Sequence, residues 1–210
     1  MTRKFLHGRL ARLGAALGLI AAIALGVAMT ADGAPKISTL KFNMKRSAGI
    51  VAAGCLPKAR ADVTVTSQGP VEVMRVHAAG LRPNTEYDFF VTQVPSAPFG
   101  LSWYQGDIET NAKGIGTGVF IGRFNEETFI VAPGTASAPT PHETDVDTNP
   151  ATGPVHTFHL GLWFNSPADA VAAGCPGATT PFNGEHNAGV QVLNTAGFAD
   201  TDGPLGRLKP

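Results

Sequence analysis

Several short stretches of this sequence carry side chains able to do chemistry. Asp145-x-Asp147-x-Asn149 has the alternating oxygen spacing that begins a calcium loop, with His142 and Glu143 just before it. The EF-hand form of that loop needs a glycine next and a later glutamate, whereas Pro150 follows here and no glutamate appears until Glu185. His156-Thr157-Phe158-His159 suggests a two-histidine chelate. On a strand, however, side chains three apart face opposite ways, so the two rings share one ion only across a bulge. His156 then keeps company with Phe158, Leu160, Leu162 and Phe164, and His159 with Gly161 and Trp163. His159 is the better functional candidate, because Trp163 and the turn carrying Glu185, His186 and Asn187 outline a polar pocket with it.

Other catalytic signatures are lacking. Gly100-Leu101-Ser102-Trp103-Tyr104 fails the G-x-S-x-G elbow at its last glycine, and there is no H-E-x-x-H zinc motif or phosphate-binding glycine loop. Glu126 and Glu127 are adjacent and point apart on a strand, so they are no glycosidase pair. Trp103, Tyr104 and Trp163 are candidates for a sugar-stacking platform, though core or corner positions suit them as well.

These groups must be held by the rest of the chain, and its charge is divided. The 210 residues carry 16 basic and 16 acidic side chains, a balance that argues against nucleic acid as a partner. Arg3, Lys4, Arg9 and Arg12 precede an uncharged apolar run from Leu13 to Met29, and Ala31-Asp32-Gly33 offers small residues for a peptidase. That pattern reads as a secretory signal over residues 1–33, with a membrane role only if the segment stays uncleaved. Residues 34–60 hold six basic groups and no acid, while no Lys or Arg lies between Arg123 and Arg207. The acidic, His-containing C-terminal half is therefore the place to look for a cation.

Cys55 and Cys175 are the only cysteines, and an oxidising compartment makes a bridge between them the natural expectation. The echo Val-Ala-Ala-Gly-Cys at 51–55 and 171–175 reads as chance or local convergence. Along the mature chain apolar residues alternate with period two: Leu40, Phe42, Met44; Val63, Val65; Val71, Val73; Tyr87, Phe89, Val91. Further alternating runs at 115–121, 128–131, 155–164 and 189–193, separated by Gly, Pro, Asn and Asp, predict an antiparallel β-sandwich of about eight strands. One short helix is expected over 167–173, with Ser166 as cap, Pro167 first, Asp169 completing the capping box and Gly174 ending it. Residues 132–154, rich in Pro, Thr and Ser, read as a long loop of the single domain 34–210.

Leu81-x-Pro83-x-Thr85-x-Tyr87 resembles the tyrosine corner of fibronectin type III and immunoglobulin-like domains. The resemblance covers residues 80–89 and implies a sandwich, jelly-roll-like or Ig-like, with the Tyr87 hydroxyl tied back to nearby backbone. The expectation for function is a secreted, disulfide-stabilised, non-catalytic domain that binds an extracellular ligand or surface partner, without cofactor. The alternatives are a calcium or zinc protein using Asp145, Asp147, His159 and His186, and a hydrolase whose acid or base is His159, Glu185 or His186.

Overall fold

The computed structural model describes residues 38–100, 102–124, 157–177, 179–181 and 186–208, all within the unit Ala34–Pro210. The strands are β1 (Thr39–Arg46), β2 (Arg60–Ser67), β3 (Glu72–Ala79), β4 (Glu86–Thr92), β5 (Ser102–Glu109), β6 (Gly116–Gly122), β7 (His159–Phe164) and β8 (Gln191–Asn194). They pair antiparallel in the order β5-β4-β7-β8-β1-β2-β3-β6. The two ends of that sheet, β5 and β6, meet at a bridge between Thr110 and Gly116, so the sheet is nearly closed. Two four-stranded halves thus face one another across a single core, as the period-two pattern predicts. The long loop expected at 132–154 and the run at 128–131 lie outside the described residues.

The inward residues explain the closure. Val63 and Val65 of β2, Met74 and Val76 of β3, Tyr87 and Phe89 of β4, and Leu160, Leu162 and Phe164 of β7 are all buried together. Phe89 stacks on Phe120 of β6 with ring centroids 5.0 Å apart, joining the halves through aromatic contact. On β3 the parity is opposite to the one Val71 and Val73 suggest: Glu72, Met74, Val76 and Ala78 point inward. The buried Glu72 is tolerated because its Oε2 accepts from the Phe124 amide at 2.7 Å and Arg123 lies 3.6 Å from its other oxygen.

Helix α1 (Ala48–Ala53) and helix α2 (Pro167–Ala172) are short. The Ser166 hydroxyl accepts from the Asp169 amide and donates to the Asp169 carboxylate, the local pairing that Ser166, Pro167 and Asp169 predict. Helix α1 went unread in the sequence; Ser47 caps it by accepting from the Ile50 amide. The Val-Ala-Ala-Gly-Cys echo now has a physical cause. Each copy is the last turn of a short helix, stopped by a glycine in the left-handed region (φ 67° at Gly54, 70° at Gly174), and each stop delivers a cysteine. The two cysteines form the expected disulfide, with Cα atoms 5.5 Å apart and 120 residues in the closed loop.

Residues 80–85 connect β3 to β4 as a hydrogen-bonded corner. The Arg82 amide donates to the Tyr87 hydroxyl at 3.0 Å, and the Tyr87 ring packs on Phe164 at 5.0 Å. Thr110 Oγ1 ties the corner to the β5–β6 turn, accepting from the Thr85 amide and donating to the Arg82 carbonyl. Gly114 in that turn is required: φ is 68°, and a Cβ there would sit 2.1 Å from the Leu81 carbonyl oxygen. Replacing both Cys55 and Cys175 by Ser is expected to lower unfolding free energy by about 2–5 kcal/mol. Denaturant unfolding of oxidised wild type against the double variant measures this; equal midpoints would contradict it.

Candidate functional site

Alternation on β4 sends Tyr87, Phe89 and Val91 to the core and leaves Glu86, Asp88 and Phe90 on the outer face. Asp107 on β5 lies directly opposite Asp88, and Glu109 opposite Glu86. Like charges at directly opposed positions repel, so this corner of the sheet is electrostatically costly. Glu86, Asp88 and Asp107 each bring a carboxylate oxygen within 4.8 Å of the others. Among the described residues this is the one group of three or more metal-capable side chains that converges.

A bulge positions the fourth member. Phe89 pairs with Gly106 but Phe90 pairs with Tyr104, so one residue of β5 is extra. Without it, Tyr104 and Asp107, three apart, would face opposite sides; with it, both lie on the outer face, and the Tyr104 hydroxyl donates to Asp107 Oδ1. Across β4, Asp88 pairs with Trp163 of β7. Phe90 packs between Tyr104 and Trp163 at 5.4 and 5.3 Å, and Phe99 adds an edge contact to Trp163, so a small aromatic layer covers the face beside the acids.

Asp88 is 1% exposed, and its Oδ2 has no hydrogen-bond partner. Burial first, then the charges of Asp107, Glu86 and Asp169, push its pKa from 3.8 up to about 7, against the pull of His186. Glu86 is also raised, by burial and then by Asp107, Glu109 and Asp169. Burial and the bond to Asp107 raise the Tyr104 phenol above its ordinary range, which keeps it a donor. No Lys or Arg among the described residues forms an ion pair with any of the three carboxylates.

The sequence candidates are distributed differently. Trp163 shares the outer face with His159, as alternation requires, but four residues of β7 separate them by about 13 Å. His159 is fully buried, with Nδ1 2.9 Å from Thr195 Oγ1 and Nε2 3.2 Å from the Asp200 carbonyl oxygen. The carbonyl can only accept, which assigns the proton to Nε2 and leaves Nδ1 to accept from Thr195. Burial holds its pKa below the usual histidine range, partly offset by the carbonyl bonds. His186 and Asn187 are exposed, and His186 acts electrostatically on Glu86 and Asp88 rather than joining His159. Asp145, Asp147 and Glu185 lie outside the described residues. Trp103, 50% exposed, pairs with the core-facing Val91 and lines a 200 Å³ cleft with Phe124 and Thr157, on the other face from Tyr104. Trp103, Tyr104 and Trp163 therefore make no common platform.

The acidic cluster was missed in the sequence because Glu86 and Asp88 fall inside the corner stretch 80–89 and no local pattern pairs them with Asp107. The alternation of Glu86-x-Asp88 with Tyr87 and Phe89 was the available signal. No family model, curated protein or solved structure matches the chain.

A carboxyl whose pKa is raised on folding favours the fold while protonated, below its unfolded value near 3.8, and loses that contribution as pH rises through about 7. Asp88→Asn mimics the protonated form. In chelating buffer the variant should match wild type near pH 4 and exceed it by about 1–3 kcal/mol at pH 8. Thermal unfolding across that range checks this, and a gap independent of pH would contradict it.

Proposed function

We propose that this chain is an exported β-sandwich, held by its disulfide, whose work is binding rather than catalysis. The Cys55–Cys175 bridge supports export, since it uses both cysteines and such bridges persist in oxidising compartments. The basic stretch and apolar run ahead of residue 34 support the same reading from sequence. No helix among the described residues is long and apolar enough to cross a membrane. The tyrosine-corner hydrogen bond from Arg82 to Tyr87 favours kinship with immunoglobulin-like sandwiches, a fold that presents ligands on faces and loops.

The observation that carries the binding half is the outer face of β4 and β5. Three carboxylates converge there beside a partly exposed Tyr104, 38% accessible, with Glu109 and Asp169 adding negative potential. Such a face attracts cations and cationic groups. His159, the strongest acid–base candidate by sequence, has both ring nitrogens engaged inside the protein, so it has no free nitrogen to offer a substrate.

Expression of the full chain in a secreting host tests the proposal. The expected product is found in the medium, begins at Ala34, and has no titratable thiol. It leaves ester, peptide and glycoside probes unturned. An intact Met1 in the membrane fraction, or turnover abolished by His186→Ala, would overturn it.

A further inference from the structure

We infer that Glu86, Asp88 and Asp107 form a site for a hard divalent cation, calcium by its chemistry, on the outer face of β4 and β5. Two observations meet there. The first is the convergence of three carboxylate oxygens within 4.8 Å of one another, a separation that a calcium ion with bonds of about 2.3–2.6 Å spans without rearrangement. The second is the state of Asp88. The residue is 1% exposed, it belongs to the converging set, and its Oδ2 has no hydrogen-bond donor. Buried carboxylate oxygens are almost always satisfied, so one left open among other carboxylates lacks a positive partner.

The donor set decides the kind of ion. All three ligands are anionic oxygens, which suit calcium, magnesium and manganese, whereas zinc favours histidine nitrogen and cysteine sulfur. Magnesium demands bonds of about 2.0–2.1 Å in a near-octahedral frame, which limits opposed ligands to about 4.2 Å apart. Calcium accepts a wider spacing and shells completed by water, which suits three carboxylates drawn from adjacent strands. The surroundings agree in sign. Glu109 and Asp169 add negative charge, Tyr104 holds Asp107 in place through Oδ1, and His186 acts in the opposite sense on Glu86 and Asp88.

The strands rather than a loop supply the ligands, so the site differs from the Asp145-x-Asp147-x-Asn149 candidate. It stands on its own geometry. Only the expected affinity, about 0.1–1 mM as in extracellular calcium modules, rests on the export reading. Failure of processing at Ala34 would change that range and leave the site intact.

The test uses the purified protein with calcium chloride alone, against sodium chloride of equal ionic strength. Calcium is expected to raise the unfolding midpoint, with half-effect near 0.1–1 mM, about the range of extracellular sites. Terbium bound at the site should show emission sensitised by Trp163 and Tyr104, and calcium should displace it. Asp107→Asn, at an exposed position, should weaken calcium at least about tenfold with the near-ultraviolet circular dichroism unchanged, and Glu86→Gln should do the same. Asp145→Asn combined with Asp147→Asn should leave the response in place. The inference is overturned if calcium shifts nothing beyond the sodium control. It is equally overturned if the response survives Asp107→Asn and vanishes with the Asp145 and Asp147 changes.

Discussion

The two halves of the sheet are joined along β1 and β8 by a ladder only two residue pairs long, Lys45 with Asn194 and Arg46 with Leu193. So short a ladder cannot by itself hold two four-stranded halves over a common core, and the chain reinforces it just beyond its end. The Ser47 amide donates to the Val192 carbonyl and the Ser47 hydroxyl to the Gln191 carbonyl, extending the seam into the cap of α1. The disulfide from the end of α1 to the end of α2 then closes it covalently. One residue, Ser47, thus serves the helix and the seam together, and both glycine-stopped helices exist to place a cysteine.

What the seam protects is the position of β7. That strand lies between β4 and β8, and its outward Trp163 pairs with Asp88 of β4 and packs on Phe90. Strand β8 links that position to the seam, pairing with β7 on one side and with β1 on the other. On the other side the β5 bulge turns Tyr104 toward Asp107. The acidic cluster is therefore a product of strand register on both sides of β4. No local loop builds it, which is why it sits on the rigid part of the molecule, where ligand geometry is held by packing.

Much of the frame could be read from sequence because local rules and global fold agree there. Leu40-Phe42-Met44, Val63-Val65 and Tyr87-Phe89-Val91 alternate without interruption, and Ser166-Pro167-Asp169 states a helix start in side-chain chemistry. Reading failed where tertiary partners override the local pattern. Glu72 takes the inward parity in place of Val73, with the Phe124 amide donating to its Oε2 and Arg123 3.6 Å from its Oε1, both some fifty residues later in the chain. Strand β5 escaped notice because Gly106 and the bulge break its alternation. Helix α1 is six residues of Ala, Gly, Ile and Val, too short to announce itself. The acidic site required all three lessons at once: Asp107 lies 21 positions after Glu86 and 19 after Asp88, and only the register of β4 and β5 brings it to them.

The central claim is that the open oxygen of Asp88 and its two carboxylate neighbours are completed by one cation. Carbon-detected nuclear magnetic resonance of side-chain carboxyls during a calcium titration at constant pH observes those atoms directly. The carboxyl carbons of Glu86, Asp88 and Asp107 should move together with a single midpoint while Asp200 and Asp202 stay fixed. Signals of the three that respond to pH but not to calcium would contradict the claim and leave a shared proton in the cation's place.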